Sequence, residues 1–326
     1  MAFTDVDNPE SFFVATLYTG NETARTITLG FQPDWVWTKC RNDAHSNILT
    51  DSVTGSGKRL KTDSTNAQDT SGASVASFVS TGYTLTDNST INGNSNTNVS
   101  WSWKESATSG FDLVQYTGNG GTQNISHNLS AVPKLIIGKQ ISGSSNGFGI
   151  YHFSLGNGKA IAFDNGTAST ATAFFNDTTP SSSVFSLGDS GRLNQSGETY
   201  IAYVFAEKQG FSKMGKYQGN GVQNGGPFCY CGFSPAFLLI KNNTTTSTNW
   251  QLLDNKRQGY NPQNEYLQPD GTGTEGSVNI AEFKSNGFRI IGDNSNGWNK
   301  SGSTYIYWAF AERPFVNSKG QPNTTR

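Results

Sequence analysis

The stretch Thr304-Tyr305-Ile306-Tyr307-Trp308-Ala309-Phe310-Ala311-Glu312 is the third copy of one pattern. The second copy reads Thr199-Tyr200-Ile201-Ala202-Tyr203-Val204-Phe205-Ala206-Glu207, and a weaker first copy reads Thr97-Asn98-Val99-Ser100-Trp101-Ser102-Trp103-Lys104-Glu105. Trp101, Tyr203 and Trp308 align, and Trp103, Phe205 and Phe310 align two residues further on. Side chains on a strand alternate between faces, so each aromatic pair lies on one face of a sheet, and that face must be buried. The glutamates that close the three copies recur at a spacing of roughly 100 residues, the length of a domain rather than of a solenoid repeat.

Each copy closes a longer unit with a common layout. A tyrosine-anchored strand opens it and breaks at Tyr18-Thr19-Gly20-Asn21, Tyr116-Thr117-Gly118-Asn119 or Tyr217-Gln218-Gly219-Asn220. Gly-Asn reads as a turn at which positive φ is cheap. A short strand and a proline (Pro33, Pro133 or Pro235) then precede the most apolar strand: Trp35-Val36-Trp37, Leu135-Ile136-Ile137 or Phe237-Leu238-Leu239-Ile240. Proline at the start of a strand removes no ladder bond, so these strands are expected in the core. A further strand and a loop that differs between copies follow, with His45 and His152 at roughly equivalent places. No stretch carries a capped 3.6-residue apolar stripe. Short alternating strands between Gly/Asn/Ser turns predict an all-β chain of three tandem jelly-roll-like sandwiches. The expected divisions are a leader at 1–10, sandwiches at 11–106, 110–208 and 211–313, and a tail at 314–326. That tail is expected to be ordered only through contact with another domain or chain.

Composition limits the partners. Of the 326 residues, 34% are hydrophobic and 12% aromatic, enough to build cores, while only 14% are charged and the net charge is −1. A near-neutral chain supplies no evident Lys/Arg face for phosphate, so nucleic acid is not an expected partner. No apolar run approaches the ~20 residues of a membrane span, and no basic segment followed by an apolar one opens the chain. Cys229 and Cys231 share a strand two residues apart, too far to bridge, so three free thiols are expected, as in a reducing cytoplasm.

The opening Met-Ala-Phe-Thr, Leu17-Tyr18-Thr19-Gly20-Asn21, Gly30-Phe31-Gln32-Pro33-Asp34-Trp35-Val36-Trp37-Thr38-Lys39, His45 with Asp51-Ser52-Val53, Gly82-Tyr83-Thr84-Leu85 and Trp101-Ser102-Trp103-Lys104 together resemble tandem-repeat virion proteins of marine bacteriophages. The resemblance covers most of the chain and is strongest in the first repeat. It implies concanavalin-like jelly-roll repeats, a virion-surface or tail-fibre role after synthesis in the host cytoplasm, and no catalytic signature. It also implies other virion proteins and a host-surface glycan or protein as partners, and a homotrimer. Repeat three departs from the pattern at Cys229, Cys231 and an insertion around Asn261 to Gly276.

Glycosidase chemistry would need two carboxylates flanking a sugar. Glu282 with Asp254 or Glu265 is the nearest such set, and the spacing does not favour it. His45, His127 and His152 lack metal-ligand spacing. Asp87-Asn88 and Asp293-Asn294 could offer oxygens to calcium at loop tips, without a ligand pattern; no other cofactor is indicated. The aromatics of the repeat-three loops, Trp250, Tyr260, Tyr266 and Trp298, form a candidate recognition surface, or else pack on a neighbouring domain or chain. The sequence thus predicts a non-enzymatic virion component, a tail fibre or spike. A capsid decoration or head-fibre protein and a polysaccharide-degrading or lectin-like protein are the alternatives.

Overall fold

A computed structural model describes residues 3–70, 72, 74–143, 146–164 and 166–322. Each repeat is built on an antiparallel sheet with the same strand order: opening, terminal, proline-fed, middle. In the first repeat these are Phe13–Thr19, Thr97–Trp103, Trp35–Cys40 and Ile48–Asp51, extended by Leu60–Lys61. In the second they are Phe111–Thr117, Thr199–Phe205, Leu135–Gln140 and Gly149–His152. In the third they are Ser212–Gln218, Thr304–Pro314, Phe233–Asn242 and Gln251–Asp254. A smaller sheet covers one face of each. It is formed by Arg25–Thr28, Gly82–Leu85 and Ser77–Val79, by Gln123–Ser126 with Val184–Leu187, and by Phe228–Tyr230, Gly287–Ile290, Gly276–Lys284 and Gln263–Tyr266. The all-β sandwich architecture read from the sequence is thus the one observed. Among the described residues the strands are accompanied by three four-residue helical turns, Ser89–Asn92, Thr172–Phe175 and Gly191–Asn194, and two 3-10 turns, Pro9–Ser11 and Phe153–Leu155, all too short to show an apolar stripe.

The recurring aromatic pairs do share a buried face, but that face is not the inside of a sandwich. Val36 and Ile48 point into the first sandwich with Ile27, Tyr83 and Leu85, as Ile136 and Val204 do in the second with Ile125 and Phe185. Trp35, Trp37, Trp101 and Trp103 point the other way, into a central cluster shared with Leu135, Ile137, Tyr203, Phe205, Phe237, Trp308 and Phe310. Rings from different repeats touch: Trp35 lies 4.6 Å from Tyr203, Trp103 5.5 Å from Phe310 and Phe205 5.6 Å from Phe310. Three main sheets therefore close around one common core. Repeats one and two each keep a separate sandwich cluster, while all three contribute to the central one. Burying a main sheet on both faces explains why Leu135–Gln140 and Trp35–Cys40 are buried at every position.

The leader and tail complete one pole of the body. Asp5 N–H donates to Gln209 O (2.9 Å) and Gln209 N–H to Asp5 Oδ2 (3.0 Å), stitching the leader to the link between repeats two and three. Val6 is buried in the central core. Phe315 N–H donates to Gly232 O (2.9 Å), and Ser318 donates to the Asp7 carboxylate through both its backbone N–H (2.7 Å) and its hydroxyl. The tail thus docks within its own chain through residue 322, and residues 323–326 lie outside the described residues.

At the opposite pole the Gly-Asn hinge recurs three times with one set of bonds, and its chemistry differs from a positive-φ turn. Gly20, Gly118 and Gly219 do not have positive φ. A Cβ at Gly20 would sit 2.2 Å from Gly93 O, one at Gly118 2.3 Å from Gln195 O and one at Gly219 2.5 Å from Lys300 O. The glycine is therefore required because two backbone segments pass in contact. The preceding tyrosine donates across the same gap: Tyr18 Oη to Ile91 O (2.7 Å), Tyr116 Oη to Leu193 O (2.8 Å) and Tyr217 Oη to Trp298 O (2.7 Å). The next residue in each case, fully buried Asn92, Asn194 or Asn299, accepts from the hinge asparagine's N–H at 3.3, 2.9 and 3.1 Å.

Candidate functional site

The middle loops, where the repeats diverge, sit at the seams between repeats. Three lysines at one equivalent position of the proline-fed strand, Lys39, Lys139 and Lys241, are fully buried. Each ammonium donates to a carbonyl of a different repeat: Lys139 to Thr65 O (3.0 Å) in the first, Lys241 to Asp164 O (2.8 Å) in the second, Lys39 to Thr272 O (3.3 Å) in the third. Burial lowers all three pKa values, to about 8 for Lys139 and Lys241. The contacts run in one cyclic sense, so the three repeats relate by an approximate threefold rotation.

A second polar ring follows the same sense. Tyr203 Oη donates to Asp51 Oδ2 (3.0 Å), and Trp101 Nε1 donates to Asp254 Oδ2 (3.0 Å). At the equivalent position of repeat two stands His152, paired with Leu135 as Asp51 is with Trp35 and Asp254 with Phe237. His152 therefore corresponds to Asp51, not to His45. Its Nε2 lies 3.1 Å from Tyr307 O while its Nδ1 accepts from Ser154 N–H, which assigns the proton to Nε2. Burial pushes its pKa down to about 4, so it stands neutral.

No covalent link joins the first repeat to the third, and there the seam carries an ion network. Arg41 reaches Glu275 (2.7 Å) and Glu265 (3.0 Å), while Arg257, its side chain fully buried, binds Glu275 (2.9 Å) and Asp254 (2.7 Å). Asn47 Nδ2 donates to Gln268 O (3.1 Å) and Gly271 O (3.0 Å), and Thr62 Oγ1 to Pro269 O (2.5 Å). The insertion of repeat three is thus a clasp onto repeat one.

These seams account for most of the residues singled out from the sequence. Trp250 is fully buried, its Nε1 donating to Ala162 O of repeat two (2.9 Å) with its ring against Phe163 and Trp308. It packs on a neighbouring unit and is not a surface aromatic. Trp298 is 9% exposed and stands where Ile91 and Leu193 stand in the hinge of the other repeats, a core position. Aligning Ile91-Asn92, Leu193-Asn194 and Trp298-Asn299 carries that signal in the sequence. Tyr266 is half-buried, its ring 6.3 Å from Trp298. Tyr260 alone of the four is open, 66% exposed.

Of the carboxylates weighed for sugar hydrolysis, Asp254 and Glu265 are held by the seam arginines and Glu282 by Lys284 (2.7 Å). Asn88 Oδ1 caps the Ser89–Asn92 turn, accepting from Thr90 and Ile91, and Asp293 Oδ1 accepts from Trp298 Nε1 (3.2 Å). His45 faces Asp43 (3.2 Å) and His127 faces Ser181 O (3.2 Å). Among the described residues no group of three or more His, Cys, Asp or Glu side chains could hold a metal ion. All three cysteines are free and buried, and no described helix is long and apolar enough to cross a membrane.

A family model described as "Domain of unknown function (DUF7483)" matches residues 8–314. The chain belongs to the DUF7483 family. The matched region runs from the leader to the end of the last terminal strand, so the DUF7483 unit is the closed three-repeat body and not the single repeat. No curated protein matches the chain.

Proposed function

We propose that this DUF7483 protein is a non-enzymatic structural component of a bacteriophage particle, displayed on its surface as part of a tail fibre or tail-associated spike. The observation that carries the reading is the use made of its polar side chains. Lys39, Lys139, Lys241, Asp51, Asp254, Arg41, Arg257, Glu265 and Glu275 are engaged at the seams of a nearly uncharged body. The repeated motifs resembling marine phage virion proteins supply the particle. In this reading the interfaces that a homotrimeric fibre would form between copies are formed within one chain.

The pseudo-threefold arrangement also favours a second reading, a capsid decoration or head-fibre protein, because one such chain can sit on a threefold axis of a larger assembly. Gold-labelled antibody against this chain, applied to purified particles, separates the two. Label on the tail supports the first reading and label on the shell the second. Particles without label, with the chain left in the soluble lysate, overturn both.

A further inference from the structure

The link between repeats one and two differs from the link between two and three at one charged position. Glu105 closes the terminal strand of repeat one as Glu207 closes that of repeat two. Each accepts a backbone N–H from the opening strand of the next repeat at the same register, Glu105 Oε1 from Leu113 (3.4 Å) and Glu207 Oε1 from Met214 (2.9 Å). The residue before that N–H pairs with Val204 in repeat two and with the equivalent Ala309 in repeat three. In repeat three it is Lys213, whose ammonium binds Glu207 Oε2 at 3.1 Å. In repeat two it is Asp112, so there a carboxyl faces a carboxyl.

Asp112 is 2% exposed, and its Oδ2 accepts from Asn128 N–H (2.6 Å). Glu105 is half-buried and hydrogen-bonded to Asp112. Two ionised carboxylates offer acceptors only, so that bond requires a proton held between them. The groups around the pair add to this demand. Asp34 Oδ2 accepts from Glu105 N–H (2.8 Å) and brings a further negative charge. His127, which faces Asp112, is buried, and burial favours its neutral form. Lys104, next in the chain, is exposed, and the Lys208 stem passes Gly110, where a Cβ would stand 3.0 Å from its Cγ. Neither lysine makes with Glu105 or Asp112 the ion pair that Lys213 makes with Glu207. Between the two carboxyls the chain turns back on itself, Ser106 and Phe111 exchanging backbone N–H···O bonds of 3.0 and 3.1 Å.

We infer that this first link is a proton-operated latch: the proton shared by Glu105 and Asp112 ties the opening strand of repeat two to the end of repeat one, and its loss sets two negative charges against each other across the turn and loosens it. Burial, then the hydrogen bond to Asp112, pushes the Glu105 pKa up from 4.5 to about 7. Between those values the folded chain binds the extra proton, so stability from this pair is present in mild acid and is lost as pH rises through 7. The second link, closed by an ion pair, lacks that dependence.

Thermal melts and hydrogen-exchange mass spectrometry on the full chain from pH 5 to 8 test it. Over that range the native chain should lose about 2 °C or more of melting temperature relative to Glu105→Gln, whose amide donates at every pH. Asp112→Lys, which copies the second link, should gain on the native chain by a similar amount. After correction for the intrinsic pH dependence of exchange, protection of residues 104–115 should fall about threefold or more in the native chain and stay level in Glu105→Gln. Residues 206–217 of the native chain are the internal control and should not change. A Glu105→Gln melting profile parallel to the native one overturns the proposal, as does an Asp112→Lys profile parallel to it or a loss of protection at 206–217 equal to that at 104–115. If Asp112→Lys fails to fold, the near-isosteric Glu105→Gln decides alone.

Discussion

Gly118 carries a steric requirement that its neighbour Asn119 disguises. Gly-Asn read as a left-handed turn predicts that asparagine is tolerated at the glycine, since asparagine accepts positive φ more readily than other residues. Contact between backbones predicts the opposite, because any Cβ meets Gln195 O at 2.3 Å. Gly118→Asn should lower stability by about 3 kcal/mol, as overpacking against rigid backbone does. Gly302, with φ of +79° and nothing within 4 Å of a Cβ, is the control: Gly302→Asn should cost less than about 1 kcal/mol. Urea midpoints of the two variants decide between the explanations. Equal losses at both positions would refute the contact account.

The segment around Gln263–Tyr266 and its following loop show how an insertion can serve the fold. Glu275 accepts from both Arg41 and Arg257, one on each side of the seam that no peptide link crosses. Removing it strands the fully buried Arg257 side chain with Asp254 as its remaining carboxylate. A buried ion pair contributes little net stability, but breaking one by removing a partner is costly. Glu275→Ala should therefore destabilise the protein by about 3 kcal/mol in chemical denaturation. A double-mutant cycle with Arg41→Met should show coupling between the two sites. Additive effects would mean that the seam holds without the network.

Because the three main sheets share a core, the molecule should unfold as one unit. Calorimetry is expected to show a single transition whose van't Hoff and calorimetric enthalpies agree, and residues 110–208 alone should fail to fold, exposing Leu135, Ile137, Tyr203 and Phe205. Three resolved transitions, or a folded fragment, would contradict a common core. The lysine ring adds a pH signature. Lys139 and Lys241 titrate near 8 when folded and near 10.5 when unfolded, so between those values the unfolded chain binds more protons and stability rises with pH. The buried thiols of Cys40, Cys229 and Cys231 oppose this over the same range, and above pH 10 the buried tyrosines, Tyr203 among them, do so too, since burial raises their folded pKa. From pH 8 to about 9.5 the melting temperature of the native chain should therefore gain on those of Lys139→Met and Lys241→Met. Profiles that run parallel in the native chain and the two variants would refute the lowering of the lysine pKa values by burial.

Strand class and the positions of the hinges were legible because they rest on local periodicity and on spacing, both properties of the linear chain. The terminal strands even carried the warning of a third layer: Ile201-Ala202-Tyr203-Val204-Phe205 and Ile306-Tyr307-Trp308-Ala309-Phe310 are apolar on both faces, where a sandwich open to solvent would alternate. What each face meets was not legible. Alternation says that Trp101 and Trp103 point together, yet whether they face their own sandwich or Phe237 of another repeat depends on how three sheets dock. The seam partners Lys139 with Thr65, Tyr203 with Asp51 and Arg41 with Glu275 lie far apart in sequence and share no spacing rule. Repetition therefore wrote the units into the chain, while their closure into a ring, which buried Trp250 and Trp298 and left Tyr260 open, is fixed by long-range packing that no local pattern encodes.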